Sequence, residues 1–147
     1  MALFRTLVAQ RIKPLSVGAS VDGYPVRIEH DFTSAITTAD VLELCTLTPG
    51  TEVLDWAIDS DDLDSGAGLA FSVGVLNTGK TALVSAAGTY VTGSTIAQTG
   101  GLLRAASINH IRFGATQTDR TLGLIPTVNA AGFTNGRIGI TLLCRNV

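Results

Sequence analysis

From Pro25 onward the dominant signal in the chain is alternation of apolar and polar side chains with a period of two, and that pattern alone removes most architectures. In the stretch 26–32, VRIEHDF, Val26, Ile28, His30 and Phe32 share one face while Arg27, Glu29 and Asp31 share the other, as a half-buried antiparallel strand requires. The next run, DVLELCTL, ends at Thr48-Pro49-Gly50, a turn by its Pro-Gly pair. TEVLDWAID then places Leu54, Trp56 and Ile58 inward and Val53, Asp55, Ala57 and Asp59 outward, so the single tryptophan is expected in the core. LAFSVGVLN sets Leu69, Phe71, Val73 and Val75 on one face and stops at the turn sequence Asn77-Thr78-Gly79-Lys80. SINHIRFGAT, DRTLGLIPTV and GRIGITLLCR follow, each bounded by Gly, Asn or Asp. Residues 82–106, rich in Ala, Ser, Thr and Gly, carry no clear period, and a short helix is expected at 95–98 or 102–106.

Short strands in this number, with no long helical window, predict an all-β fold: an antiparallel β-sandwich or jelly-roll-like barrel over residues 25–147. An α/β fold would need helices that the sequence does not supply. Residues 1–24 have no steady period, contain Pro14, Gly18 and Gly23, and read as an extended N-terminal arm. Leu3, Phe4, Leu7, Val8 and Ile12 have no periodic face to bury at home, which makes them candidates for contact with a neighbour.

Composition then narrows the class. A chain of 147 residues is long enough to bury a core without disulfide or metal staples. Charged residues are 15% against the roughly 25% of ordinary soluble domains. At 46% hydrophobic residues the chain folds, and its weakly charged surface suits an assembly subunit. With a net charge of −2 and no Lys/Arg-rich run, the footprint of nucleic-acid binding is missing. No run approaches the roughly 18 apolar residues of a membrane span, and Arg5, Arg11 and Lys13 interrupt the N-terminus before a signal-peptide core develops. The chain is therefore expected to be made in the cytoplasm of its host and used without secretion. Cys45 and Cys144, on apolar stretches without metal spacing, read as two buried free thiols, with a single long-range disulfide as the alternative.

Charge is also divided along the chain. Ten of the twelve acidic residues lie between Glu29 and Asp64, where no Lys or Arg occurs; after Lys80 come Arg104, Arg112, Arg120, Arg137 and Arg145 against Asp119 alone. If the halves occupy different faces, copies of the chain can meet acid to base in a ring, with Arg104, Arg112 and Arg137 set against Asp59, Asp61, Asp62 and Asp64. If sheet pairing mixes them, the charges neutralise one another within the chain.

Three features invite chemistry. Gly74-Val75-Leu76-Asn77-Thr78-Gly79-Lys80-Thr81 matches GxxxxGK[ST], in which backbone N–H groups cradle phosphate and the lysine reaches it. Such a loop needs a helix after it and a second strand ending in a metal-binding Asp, and the following ALVSAAGTYVTGS offers neither, so a hairpin turn is the expectation. A small nucleotide-binding domain remains the alternative from another class. The run Asp59-Ser60-Asp61-Asp62-Leu63-Asp64-Ser65-Gly66 suggests Ca²⁺, but Leu63 and Asp64 break the EF-hand spacing and a solvated loop is the simpler reading. His30 and His110 each sit on an alternating strand with no local partner of a catalytic signature. No cofactor, metal or catalytic residue is assigned.

The stretch DVLELCTLTPGTEVLDWAIDSDDLDSGAGLAFSVGVLNTGKT, followed by DRTLGLIPTVNAAGFTNGRIGITLLCR, resembles small virion proteins of tailed bacteriophages, of the head decoration or cement kind. The resemblance covers residues 26–147 and lies in the order of strands and turns. It implies a β-sandwich-like fold, no catalysis, and attachment to the outside of an assembled head, with the major capsid protein and further copies of itself as partners. A trimer is the first expectation for the oligomer and a dimer the second. A tail, fibre or neck component is the alternative within the virion.

Overall fold

In a computed structural model, described here for residues 3–5, 23–84, 89–106 and 116–147, two sheets pack face to face around one core. The strands in chain order are β1 (Leu3–Arg5), β2 (Tyr24–Phe32), β3 (Val41–Leu47), β4 (Thr51–Ser60), β5 (Ala70–Val75), β6 (Thr89–Ser94), β7 (Gly101–Arg104), β8 (Arg120–Val128) and β9 (Gly136–Asn146). A five-stranded sheet runs β1-β3-β8-β5-β6 and a four-stranded sheet runs β2-β9-β4-β7. Among the described strands every pairing is antiparallel except β1 with β3.

The chain crosses between sheets at nearly every connection, and β5–β6 is the sole pair of successive strands in the same sheet among those described. The β3–β4 crossing shows how little chain this takes. Pro49 presets one backbone angle, Gly50 takes the next at φ +80°, and the Thr51 N–H donates to the Thr48 carbonyl at 3.1 Å, closing the turn.

The core lies between the sheets. Val26, Ile28, Phe32, Trp56, Ile58, Ile138, Ile140 and Leu142 meet Leu42, Leu44, Leu47, Phe71, Val73, Tyr90, Leu122 and Leu124. Trp56 is 2% exposed and packs edge-on against Tyr90 with ring centroids 6.0 Å apart. The antiparallel sandwich and the buried tryptophan match the sequence reading.

One local expectation does not hold. Val53, expected outside, is fully buried, and Leu54, expected inside, is partly exposed. A β-bulge between Val53 and Asp55 puts one extra residue into β4 against β9 and flips the alternation behind it. In the unpatterned region, the helical turn is a 3-10 segment at Ile96–Gln98, whereas 102–104 is strand: β7 pairs Leu102 with Asp59 and Leu103 with Ile58. The strand expected at SINHIRFGAT, with His110 and Arg112, lies outside the described residues except for its last position.

Candidate interaction surface

The outer face of the four-stranded sheet is where the two charge classes meet. Register sets Arg27 of β2 opposite Thr141 of β9, and Glu29 opposite Gly139, which itself faces Asp59 of β4. Gly139 has no side chain, so the Arg27 guanidinium lies across β9 and grips Asp59 with two hydrogen bonds, one of them at 2.8 Å, while its Nε donates to Glu29 at 3.1 Å. One row further on, Arg137 donates to Asp31 at 2.6 Å and to Glu29 at 3.3 Å, and its backbone N–H donates to Asp61 at 2.8 Å. Arg145 closes on Glu52 at 2.5 Å.

These pairs shift the groups in the expected directions. Hydrogen bonding to Arg27 holds the Asp59 carboxyl below the usual carboxylate range, against a smaller opposing effect of burial. Arg137 does the same for Asp31. Sheet pairing therefore mixes acid and base within one chain. Arg137, Asp59 and Asp61, candidates for contact between copies, are already bonded at home. Arg104 is the exception: it is 69% exposed at its side chain and only 4.0 Å from Asp55. The two line a shallow pocket together with Pro25, Ala57, Thr141 and Leu143.

The acidic loop has a different purpose. Asp64 is fully buried within the chain. Its Oδ1 accepts the N–H groups of Gly66 (3.0 Å) and Gly132 (2.7 Å), and its Oδ2 those of Gly68 and Leu69 (both 2.5 Å). Burial works to raise its pKa, but these backbone donors outweigh it and hold the carboxyl well below its ordinary value. Asp64 thus ties the β4–β5 loop to the β8–β9 loop, with Gly66 and Gly68 packed against Ala131 where a side chain has no room. Asp62 is exposed, and its carboxylate accepts the Asp64 N–H at 3.1 Å. Among the described residues no three acidic, His or Cys groups gather as metal ligands.

The GxxxxGK[ST] match is a hairpin. The Asn77 side chain accepts the Thr81 N–H at 2.9 Å, and the Lys80 N–H donates to the Asn77 carbonyl at 2.9 Å, so donors that would cradle phosphate are engaged in the turn. Lys80 takes a left-handed backbone (φ +54°) and reaches over the five-stranded sheet to Glu43, at 2.5 Å. Glu43 is 1% exposed, so this ion pair is part of the sheet's cover.

Of the N-terminal candidates, Leu3 and Phe4 fall in β1; Leu7, Val8 and Ile12 lie outside the described residues, as does Arg112. Phe4 is half-buried, with its ring 6.4 Å from His30, whose ring stands edge-on to Phe32 at 4.7 Å. Burial lowers the His30 pKa, opposed in part by Asp31. Cys45 and Cys144 are both buried free thiols, and burial pushes Cys144 up to about 11. Sequence reasoning missed β1 as a strand, Asp64 as a clasp and Gly139 as the bed for Arg27; the last left a signal, a glycine at an outward position in a strong alternating run.

No protein-family model matches the chain, and no curated protein sequence matches it. Two solved structures share its fold. A chain in the capsid of Ralstonia phage GP4 superposes with a TM-score of 0.76 at 24% identity, covering 99% of this chain and 98% of that one. A chain in the capsid asymmetric unit of cyanophage Pam1 superposes with a TM-score of 0.65 at 24% identity, covering 92% and 94%. Both matches run nearly end to end, so the matched chains are of nearly this length.

Proposed function

We propose that this chain is a structural virion protein that binds the outside of a phage capsid, through the major capsid protein, and stabilises the shell as a homo-oligomer, a trimer first. The observation that carries the reading is the end-to-end likeness in fold and length to chains of two phage capsids. The surface supports it: arginines are neutralised by carboxylates of the same chain, and the acidic loop and the GxxxxGK[ST] stretch are both engaged in holding the fold together. A subunit facing packaged DNA would meet a dense array of phosphates, and a net charge of −2 does not suit that side of the shell. Cementing a shell needs many modest contacts repeated over a lattice and no reactive group.

The test is co-sedimentation of the purified chain with capsids of its phage that lack it, followed by heating of the bare and the coated shells. Saturable binding and a higher temperature of shell rupture are expected. A chain that stays in the supernatant at every concentration overturns the reading, and a tail, fibre or neck position would then account for the fold.

A further inference from the structure

The edge of β3 at Val41–Glu43 is an acceptor slot for a strand. β3 is buried on both faces, with Val41, Leu42 and Glu43 at 2%, 0% and 1% exposure, so its backbone donors and acceptors on the side away from β8 need partners. β1 supplies them in the one parallel pairing among the described strands, Leu3 with Val41, Phe4 with Leu42 and Arg5 with Glu43. Phe4 adds a knob at the corner of the sandwich against His30 of the other sheet, whose ring in turn stands edge-on to Phe32.

What delivers the strand is long for the task. Eighteen residues, 6–23, separate β1 from β2. Facing sheets lie about 10 Å apart, whereas eighteen residues extend to roughly 60 Å. The same three residues from another copy would make the same hydrogen bonds and place the same ring. In an oligomer, where the neighbour's slot is held close, local concentration decides which copy fills it.

We propose that in the assembled oligomer β1 is exchanged, each copy filling the Val41–Glu43 slot of its neighbour. This deepens the self-association in the proposed function and rests on it.

Leu3 and Val41 are direct partners, and the spacing of paired strands, about 4.8 Å, is within disulfide range. A Leu3→Cys copy and a Val41→Cys copy, tagged to differ in size, are refolded together and mildly oxidised. Cys45 and Cys144 are buried and serve as the unreactive background, checked in the unaltered chain. Exchange predicts a covalent heterodimer of the two sizes, and covalent closed oligomers from the Leu3→Cys/Val41→Cys double variant. A double variant that cross-links only within single chains, while light scattering still reports an oligomer, overturns exchange and leaves self-association standing. A monomer by light scattering overturns both, and capsid binding is then judged separately by co-sedimentation. If no disulfide forms in either arrangement, the slot itself is refuted. A second readout leaves β3 unaltered: photoreactive benzoylphenylalanine at Phe4, in copies refolded with ¹⁵N-labelled unaltered chain, should join light to heavy chains, and light-only products within one chain would contradict exchange.

Discussion

The two sheets share one core but treat their outer faces in opposite ways. On the four-stranded sheet the outer face is wet, and Arg27, Arg137, Asp31 and Asp59 lie in a ladder over Gly139. On the five-stranded sheet the outer side is closed: Val41, Glu43 and Leu76 are buried although they stand outside the main core, Leu76 lies over Gly123, and Lys80 reaches Glu43. Each sheet thus has a central glycine with a long side chain from elsewhere laid across it. One side chain is charged and solvated, the other apolar and buried. An interaction in the closed layer should therefore matter several times more than its counterpart in the wet one.

The largest effect belongs to the layer the sheets have in common. Trp56→Ala should cost about 3–5 kcal/mol by denaturant unfolding followed by circular dichroism. A loss under 1 kcal/mol would mean that the sheets do not share one core.

Paired glycine substitutions then test the contrast itself. A Cβ at Gly123 would stand 2.6 Å from Leu76 atoms that have nowhere to go, so Gly123→Ala should cost about 1–3 kcal/mol. A Cβ at Gly139 collides only with the end of the Arg27 side chain, which can swing into water, so Gly139→Ala should cost about 1 kcal/mol or less. Equal costs would mean that the two outer faces are equally tolerant of an added side chain. The ion pairs should divide in the same way: Lys80→Ala, which takes a charge partner from the buried Glu43, should cost about 1–3 kcal/mol, and Arg27→Ala about 1 kcal/mol or less. The Arg27 effect should shrink in high salt, and the Lys80 effect should persist.

The smallest effects are those of pH. His30 has a folded pKa below its ordinary 6.5, so the unfolded chain takes up its proton first and stability should fall as pH drops below about 6.5. Asp31, Asp59 and Asp64 have folded pKa values below their ordinary 3.8, so their contribution is full above that value and is lost as pH falls below it. Thermal melts across pH 7 to 3 should show a shallow first decline that His30→Phe abolishes, then a steeper one that it does not.

Legibility in the sequence follows the same division. β2 and β9 were plain in their alternation, because water on one face forces it. β3 and β5, buried on both faces, lose the polar half of the signal, although their turn residues still bound them. The Val53–Asp55 bulge reversed the expected faces because register is set by the partner strand. Between 89 and 104, Gly93 at φ +60° and two register shifts against β5 leave β6 without a regular period. The charge split was legible, but its outcome was not: Arg27 meets Asp59, and Arg137 meets Asp31, only once β2, β9 and β4 lie side by side. Nothing local marks three residues at the N-terminus as a strand, since β3 supplies the reason for it.

The proposal that this chain coats a phage shell is decided by counting its copies in purified virions by quantitative mass spectrometry against the major capsid protein. A coat on the capsid lattice predicts hundreds of copies per particle. A dozen or fewer would contradict it and place the chain at the tail or neck.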